Sequence, residues 1–290
     1  VADYRKVPAL KRAGNNMALV QEVDRLHGEI TALLEQRERL LRDIDRLKQK
    51  LAELDKHPSG KDVETNLPDL ARDVFVARRA AERALELRRV VEGVEQLRSA
   101  ATRLEEAIRK VEDLRDKATG LIRACRDRRR RFARGLEVFL PRADRIGEEL
   151  LGRAETLVDE HSYTDALPFV ERLARILPET RFVRGDPKGT VKDFVTGLMW
   201  AQDGRGAGAA SGRKLSWYDG LNWANDLQWA GFANWRLPTV EELGTVSRAL
   251  RNRESDVFSH LSEGMFWSSE ASTTSVDQAI AVDVQSGGLQ

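Results

Sequence analysis

Apolar residues recur near the start of the chain with unbroken heptad spacing. Val23, Leu26, Ile30, Leu33, Arg37, Leu40, Ile44, Leu47, Leu51 and Leu54 alternate steps of three and four. That spacing gives five a/d heptads with Leu at every d position and one polar residue, Arg37, at an a position. It predicts a helix from about Asn16 to Asp55, stopped by the breaker cluster Lys56-His57-Pro58-Ser59-Gly60. A second helix is expected from about Asp69, since no proline follows Pro68 before Pro141. Leu87, Val90, Val94, Leu97, Ala101, Leu104, Ile108 and Val111 keep the heptad frame within it. Some seventy residues rising 1.5 Å each would make a rod roughly 100 Å long. A third helical stretch is predicted from about Arg142 to Leu177, bent at His161-Ser162-Tyr163-Thr164. The expected packing folds the first helix back on the N-terminal half of the second, and the third on its C-terminal half. A parallel coiled coil between chains competes with this, because Ile or Val at a with Leu at d suits two strands.

Beyond Pro178 the periodicity shortens. Gly189-Thr190-Val191-Lys192-Asp193 and Thr196-Gly197-Leu198-Met199-Trp200 predict a hairpin turning at Asp193-Phe194-Val195. Ser216 caps an expected helix from Trp217 to Ala230. In Trp235-Arg236-Leu237-Pro238-Thr239, Pro238 biases Leu237 toward an extended backbone. Thr239 and Glu242 form an S/T-x-x-E capping box ahead of Leu243, Val246 and Leu250. Ala279 to Val284 predicts a final strand, and Gly204 to Gly212 a flexible insertion that lacks the P-loop pattern. All six tryptophans and 13 of the 21 glycines follow Pro178. The expected division is therefore a helical region over 1–180 and a small domain over 181–290, with Trp200, Trp235 and Trp267 in the latter's core.

Composition narrows the chemistry. Across 290 residues, 48 Lys plus Arg balance 47 Asp plus Glu, so no global field selects nucleic acid or an acidic membrane. The run Arg126, Arg128 to Arg131 and Arg134 spreads around a helix with no aromatic interleaved for base stacking, which predicts a solvated or carboxylate-paired face. Cys125, the one cysteine, falls on the apolar seam and excludes a multi-cysteine metal site. His260, beside Ser259 and Asp256, is expected at the surface, with no triad. No cofactor and no metal is expected. No apolar run is long enough to span a membrane, and the first residues carry no signal pattern. A cytoplasmic location follows if the chain start is native, and a surface or secreted one if an upstream signal was removed.

The second half carries a resemblance. The "GTV.D…TGLMW" opening (189–200), Trp235-Arg236-Leu237-Pro238-Thr239 with Glu242-Leu243, and Phe266-Trp267-Ser268-Ser269 occur in the order found in the Lcl C-terminal domain family of collagen-like adhesins. Over residues 182–290 this implies an α+β fold similar to C-type lectins, in the branch shared with formylglycine-generating enzymes and diversity-generating-retroelement variable proteins. The fold class expected for the whole chain is multidomain: an N-terminal all-α coiled-coil or helical-hairpin region followed by a small α+β lectin-like domain. The domain lacks cysteine, so the copper chemistry of the enzyme branch has no ligands, and no enzyme activity is expected.

The resemblance implies protein or glycan binding. The polar run after Trp267 predicts an exposed loop offering Ser269, Glu270, Ser272, Thr273 and Thr274 as ligand-binding residues, with the Gly204–Gly212 loop as the other place. The helices are expected to serve a protein partner or self-association. A competing expectation is an intracellular structural or regulatory subunit of a bacterial defence assembly.

Overall fold

The computed structural model describes residues 16–203, 214–252, 256–261, 264–272 and 278–289. The first helix, α1 (Asn16–Asp55), ends at a 3-10 turn over Pro58–Gly60. Then follow α2 (Val63–Asn66), α3 (Pro68–Glu86), α4 (Val90–Arg131), α5 (Ala133–Phe139), α6 (Pro141–Asp159) and α7 (Tyr163–Ile176). One compact unit holds Thr156–Leu167 and the described residues up to Thr119; the other holds Gly120–Glu155 and the described residues from Pro168 on.

The expected second helix is broken. Arg89 N–H bonds to Ala84 O at 2.8 Å and Arg88 N–H to Leu85 O at 3.0 Å, with Arg88 at φ 62°. This is a Schellman cap with arginine at the left-handed position that glycine usually takes. No Gly or Pro marks the break, so the heptad frame reads straight across it. With the helix interrupted, α3 runs antiparallel to α4, as the Asp73–Arg103 pair at 3.0 Å and the Gly93–Leu85 approach record. Helix α1 then runs parallel to α4: Asp43 pairs with Arg98, Lys50 with Glu105, and His57, just past the helix, with Glu112. These partners climb both chains together in steps of seven, as g and e positions do in a parallel coiled coil. The return through α3 thus replaces the expected fold-back. Ile44 and Leu51 of α1, Ala77 and Ala81 of α3, and Val94, Leu97, Ala101, Leu104 and Ile108 of α4 share one core.

The α6–α7 turn repeats the cap. Ser162 N–H reaches Leu157 O at 2.8 Å and His161 N–H reaches Val158 O at 3.0 Å, with His161 at φ 59°. Here the side chain has its own use: His161 Nδ1 lies 3.1 Å from both Asp62 Oδ2 and Tyr163 Oη. Buried Asn66 donates to His161 O at 2.8 Å and accepts from Thr164 N–H at 3.1 Å. Burial and the Asp62 carboxylate push the Tyr163 hydroxyl above its ordinary pKa.

In the second unit four arginines of the run have partners. Arg129 holds Asp144 at 2.9 Å, Arg126 holds Glu155 at 2.5 Å, Arg134 holds Glu137 at 3.0 Å, and Arg128 donates to Ala174 O at 3.2 Å. Cys125 is 1% exposed, and burial pushes its thiol above the usual range. Strands β1 (Phe182–Arg184), β2 (Thr190–Asp193) and β3 (Met199–Ala201) form an antiparallel sheet in that order. Helix α8 (Trp217–Asp226), helix α9 (Val240–Arg251), β4 (Met265–Ala271) and β5 (Ala279–Asp283) complete the unit, with β4 and β5 antiparallel. The core joins Phe182 and Val191 of the first sheet to Leu243 and Val246 of α9 and to Val282 and Val284.

Three expectations change. Helix α8 stops at Asp226, because the chain turns at Trp229–Phe232, where Ala230 and Gly231 take φ 56° and 80° and the end residues exchange both backbone bonds. The tryptophans ring the core and do not fill it: Trp200 and Trp235 are half-buried and Trp267 is 36% exposed. Ser268 to Ala271 lie within strand β4: Ala271 pairs with Ala279 after a register shift that spans Ser268 to Glu270.

Arg88→Gly is expected to raise stability by up to about 1 kcal/mol by removing left-handed strain. His161→Gly relieves the same strain but loses the Asp62 and Tyr163 contacts, and should lower stability by about 1 kcal/mol. Denaturant melts of the two variants check the opposite signs.

Candidate functional site

The segment from Trp229 to Thr239 sets the frame. Trp235 Nε1 donates to Trp229 O at 3.0 Å, closing the Ala230-Gly231 turn from inside. Arg236 grips Glu242 with two bonds of 2.8 and 2.6 Å and donates to Leu237 O. Glu242 also accepts Thr239 N–H at 2.8 Å, while Thr239 Oγ1 accepts Glu242 N–H at 3.1 Å, the reciprocal capping box. The bond from Arg236 is the chief cause holding the Glu242 carboxyl below its ordinary pKa, and the same bond raises that of Arg236.

Strand β4 lies against this frame. Ser269 N–H donates to Pro238 O at 2.8 Å. Glu270 Oε1 accepts Val240 N–H at 3.0 Å, placing a carboxylate on the first turn of α9, where the helix dipole favours it. Ser268 is fully buried, and its carbonyl accepts Trp217 Nε1 at 2.8 Å. Trp267 Nε1 donates in turn to Leu215 O at 3.0 Å. These crossed indole bonds tie the start of α8 to β4. They leave Trp217, half-buried, 5.1 Å between ring centroids from Tyr218, which is 64% exposed. Trp267 lies instead against the Gly220 side of α8, its Cδ1 3.8 Å from a Cβ built on Gly220.

Of the residues expected to bind ligand, Ser269 and Glu270 are strand residues, the former half-buried and the latter with one oxygen on the α9 cap. Ser272 is half-buried, its N–H bonded to Gln278 O at 2.6 Å. Thr273 and Thr274, like the Gly204–Gly212 loop, lie outside the described residues. What the sequence reading missed is the Trp217–Tyr218 pair and the crossed indole bonds of Trp217 and Trp267. A signal was present: Gly220 and Ala224, at i and i+4, are the buried residues of α8, and Tyr218 projects about 200° away from Gly220 around the helix.

His260 Nδ1 lies 3.0 Å from Asp203 Oδ1, a pair separated by 57 residues in sequence, while Ser259 Oγ points to Gln202 O at 3.5 Å. Among the described residues no group of three or more His, Cys, Asp or Glu side chains could hold a metal ion. No helix among them is long and apolar enough to cross a membrane.

With this geometry in hand, the comparison with known families is specific. Residues 189–290 match the Lcl C-terminal domain family. The Lcl-like segment contains the turn frame, both helices α8 and α9, and the Trp217–Tyr218 pair. No curated protein and no solved structure matches the chain.

Thr239→Ala should lower stability by about 1 kcal/mol through the lost cap. Because the Glu242 pKa is depressed on folding, its contribution is complete above the unfolded value and fades as pH falls through the folded one. Acid titration of stability, followed by circular dichroism, should therefore be shallower in Glu242→Gln below the ordinary glutamate range; an unchanged slope would rule out this carboxylate as an acid-sensitive tie.

Proposed function

We propose that this chain is a non-enzymatic recognition protein whose Lcl-like segment binds a protein or glycan ligand through the face built by α8 and β4. The observation that carries the reading is the aromatic pair Trp217 and Tyr218, with Trp217 tied to β4, whose Trp267 is tied back to the start of α8. Both indole N–H groups are bonded to main-chain carbonyls, so the rings are held in place before any ligand arrives. Rigid, partly exposed aromatic rings offer large contact area at small entropic cost. Ser269 and the remaining polar capacity of Glu270 supply the rim. The family match supports recognition as the task. Against an enzyme reading stands the scatter of the nucleophile and base candidates around His260.

A second reading, in which the helices are the partner-binding element of a larger assembly, is supported by the apolar residues they leave exposed, including Phe75 at 59% and Val76 at 58%.

Glycan and protein arrays probed with the full chain test the first reading. Tyr218→Ala, at an exposed position, should leave the melting temperature nearly unchanged and weaken binding of any array hit about tenfold, the effect of losing one aromatic anchor worth about 1.4 kcal/mol. Hits retained at full strength by Tyr218→Ala and by Ser269→Ala would place the ligand elsewhere.

A further inference from the structure

The seam of α1 is only half used within the chain. The g-to-e ion pairs Asp43–Arg98 and Lys50–Glu105 fix a parallel register between α1 and α4 that sets Ile44 abreast of Val94. Carried back one step, that register sets Leu40 abreast of Val90, the first residue of α4. Upstream of Leu40 there is no α4 to meet, because the Arg88 cap has ended the preceding helix. The heptads of α1 nevertheless continue through Arg37, Leu33, Ile30, Leu26 and Val23. Every residue from 31 to 39 is exposed, with Leu33 at 52% and Leu34 at 54%, and Val23 further up stands at 48%. Leu26, by contrast, is buried.

We infer that residues 30–40 of α1 form a parallel two-stranded coiled coil with the same residues of a second copy of this chain. Three observations select this occupant. The stripe continues in frame with an interface the chain already makes, and α1 shows by its pairing with α4 that its seam accepts a parallel helix. Its open stretch has β-branched Ile30 at a and Leu33 at d, the combination that favours two parallel strands. Arg37 sits at the last a position before each α1 takes up its own α4. Two arginines meeting there weaken the pair, and they mark the point at which the two helices part.

This inference does not depend on the ligand reading of the C-terminal segment. Sedimentation equilibrium of the full chain over a wide concentration range tests it. The expected result is a monomer–dimer equilibrium weakened about tenfold or more by Leu33→Glu, which brings two carboxylates into the seam, and tightened by Arg37→Ile, which removes two charges from it. Both sites are exposed in the single chain, so circular dichroism melts at low concentration should be unchanged. A Leu33→Cys variant should form a disulfide-linked dimer on oxidation, since identical d positions face each other in a parallel pair; buried Cys125 serves as the unreactive background. A chain monomeric at every concentration, a dimer insensitive to Leu33→Glu, or a stripe occupied only by a different protein would each overturn the inference.

Discussion

Asp193 is a full negative charge with no exposure to water, and the second unit is arranged around keeping it satisfied. Arg181 meets it with two bonds of 2.8 and 2.6 Å, Val195 N–H donates at 3.0 Å and the Thr196 hydroxyl at 2.7 Å. Arg181 in turn reaches Thr245 Oγ1 on α9 at 3.2 Å and lies over the Phe182 ring at 4.7 Å. A carboxylate taken out of water is tolerated only when its oxygens are fully engaged, so these contacts are mutually obligatory. They bind the approach to β1, the β2–β3 turn and α9 into one arrangement before any hydrophobic packing is counted.

The turn that Asp193 shapes also decides what the small domain includes. Phe194, held at its tip, packs edge-on against Phe132 and Phe139, and its carbonyl accepts Gly135 N–H at 3.0 Å. A Cβ on residue 135 would come within 2.3 Å of the Phe194 backbone, so only glycine allows α5 to approach this closely. The composition break near Pro178 marks where long helices give way to short strands. The compact unit reaches further back, taking in 120–155 and the end of α7.

Local rules were readable in the sequence wherever a single residue or a fixed spacing encodes them. The end of α1 followed from heptads stopping at Pro58-Ser59-Gly60, and the α9 start from Thr239 and Glu242. The β2–β3 hairpin followed from its flanking runs. Features without a local code escaped. Arg88 and His161 occupy left-handed positions that carry no glycine to announce them. Arg181 and Asp193 meet across 12 residues for reasons visible only once β1 and β2 pair. Of the candidate site, the polar run after Trp267 was legible as composition, but its strand character depends on pairing with Ala279–Asp283. Bulk alone suggested that Trp235 and Trp267 were core; their indole N–H groups bond to carbonyls at Trp229 and Leu215, with the rings at the margin.

The parallel pairing of α1 with α4 also sets an order of events at the ribosome. The ion-paired partners of α1 lie 55 residues downstream, so α1 emerges with its leucine seam bare and stays so while α3 is being made. At roughly 5–20 residues per second that interval lasts several seconds, far longer than a helix needs to form. During it, the nascent chain presents a complete five-heptad stripe to whatever is nearest, including the same helix on a neighbouring ribosome of one message. Only when Val94 to Ile108 have left the exit tunnel is the downstream half of that stripe claimed from within the chain.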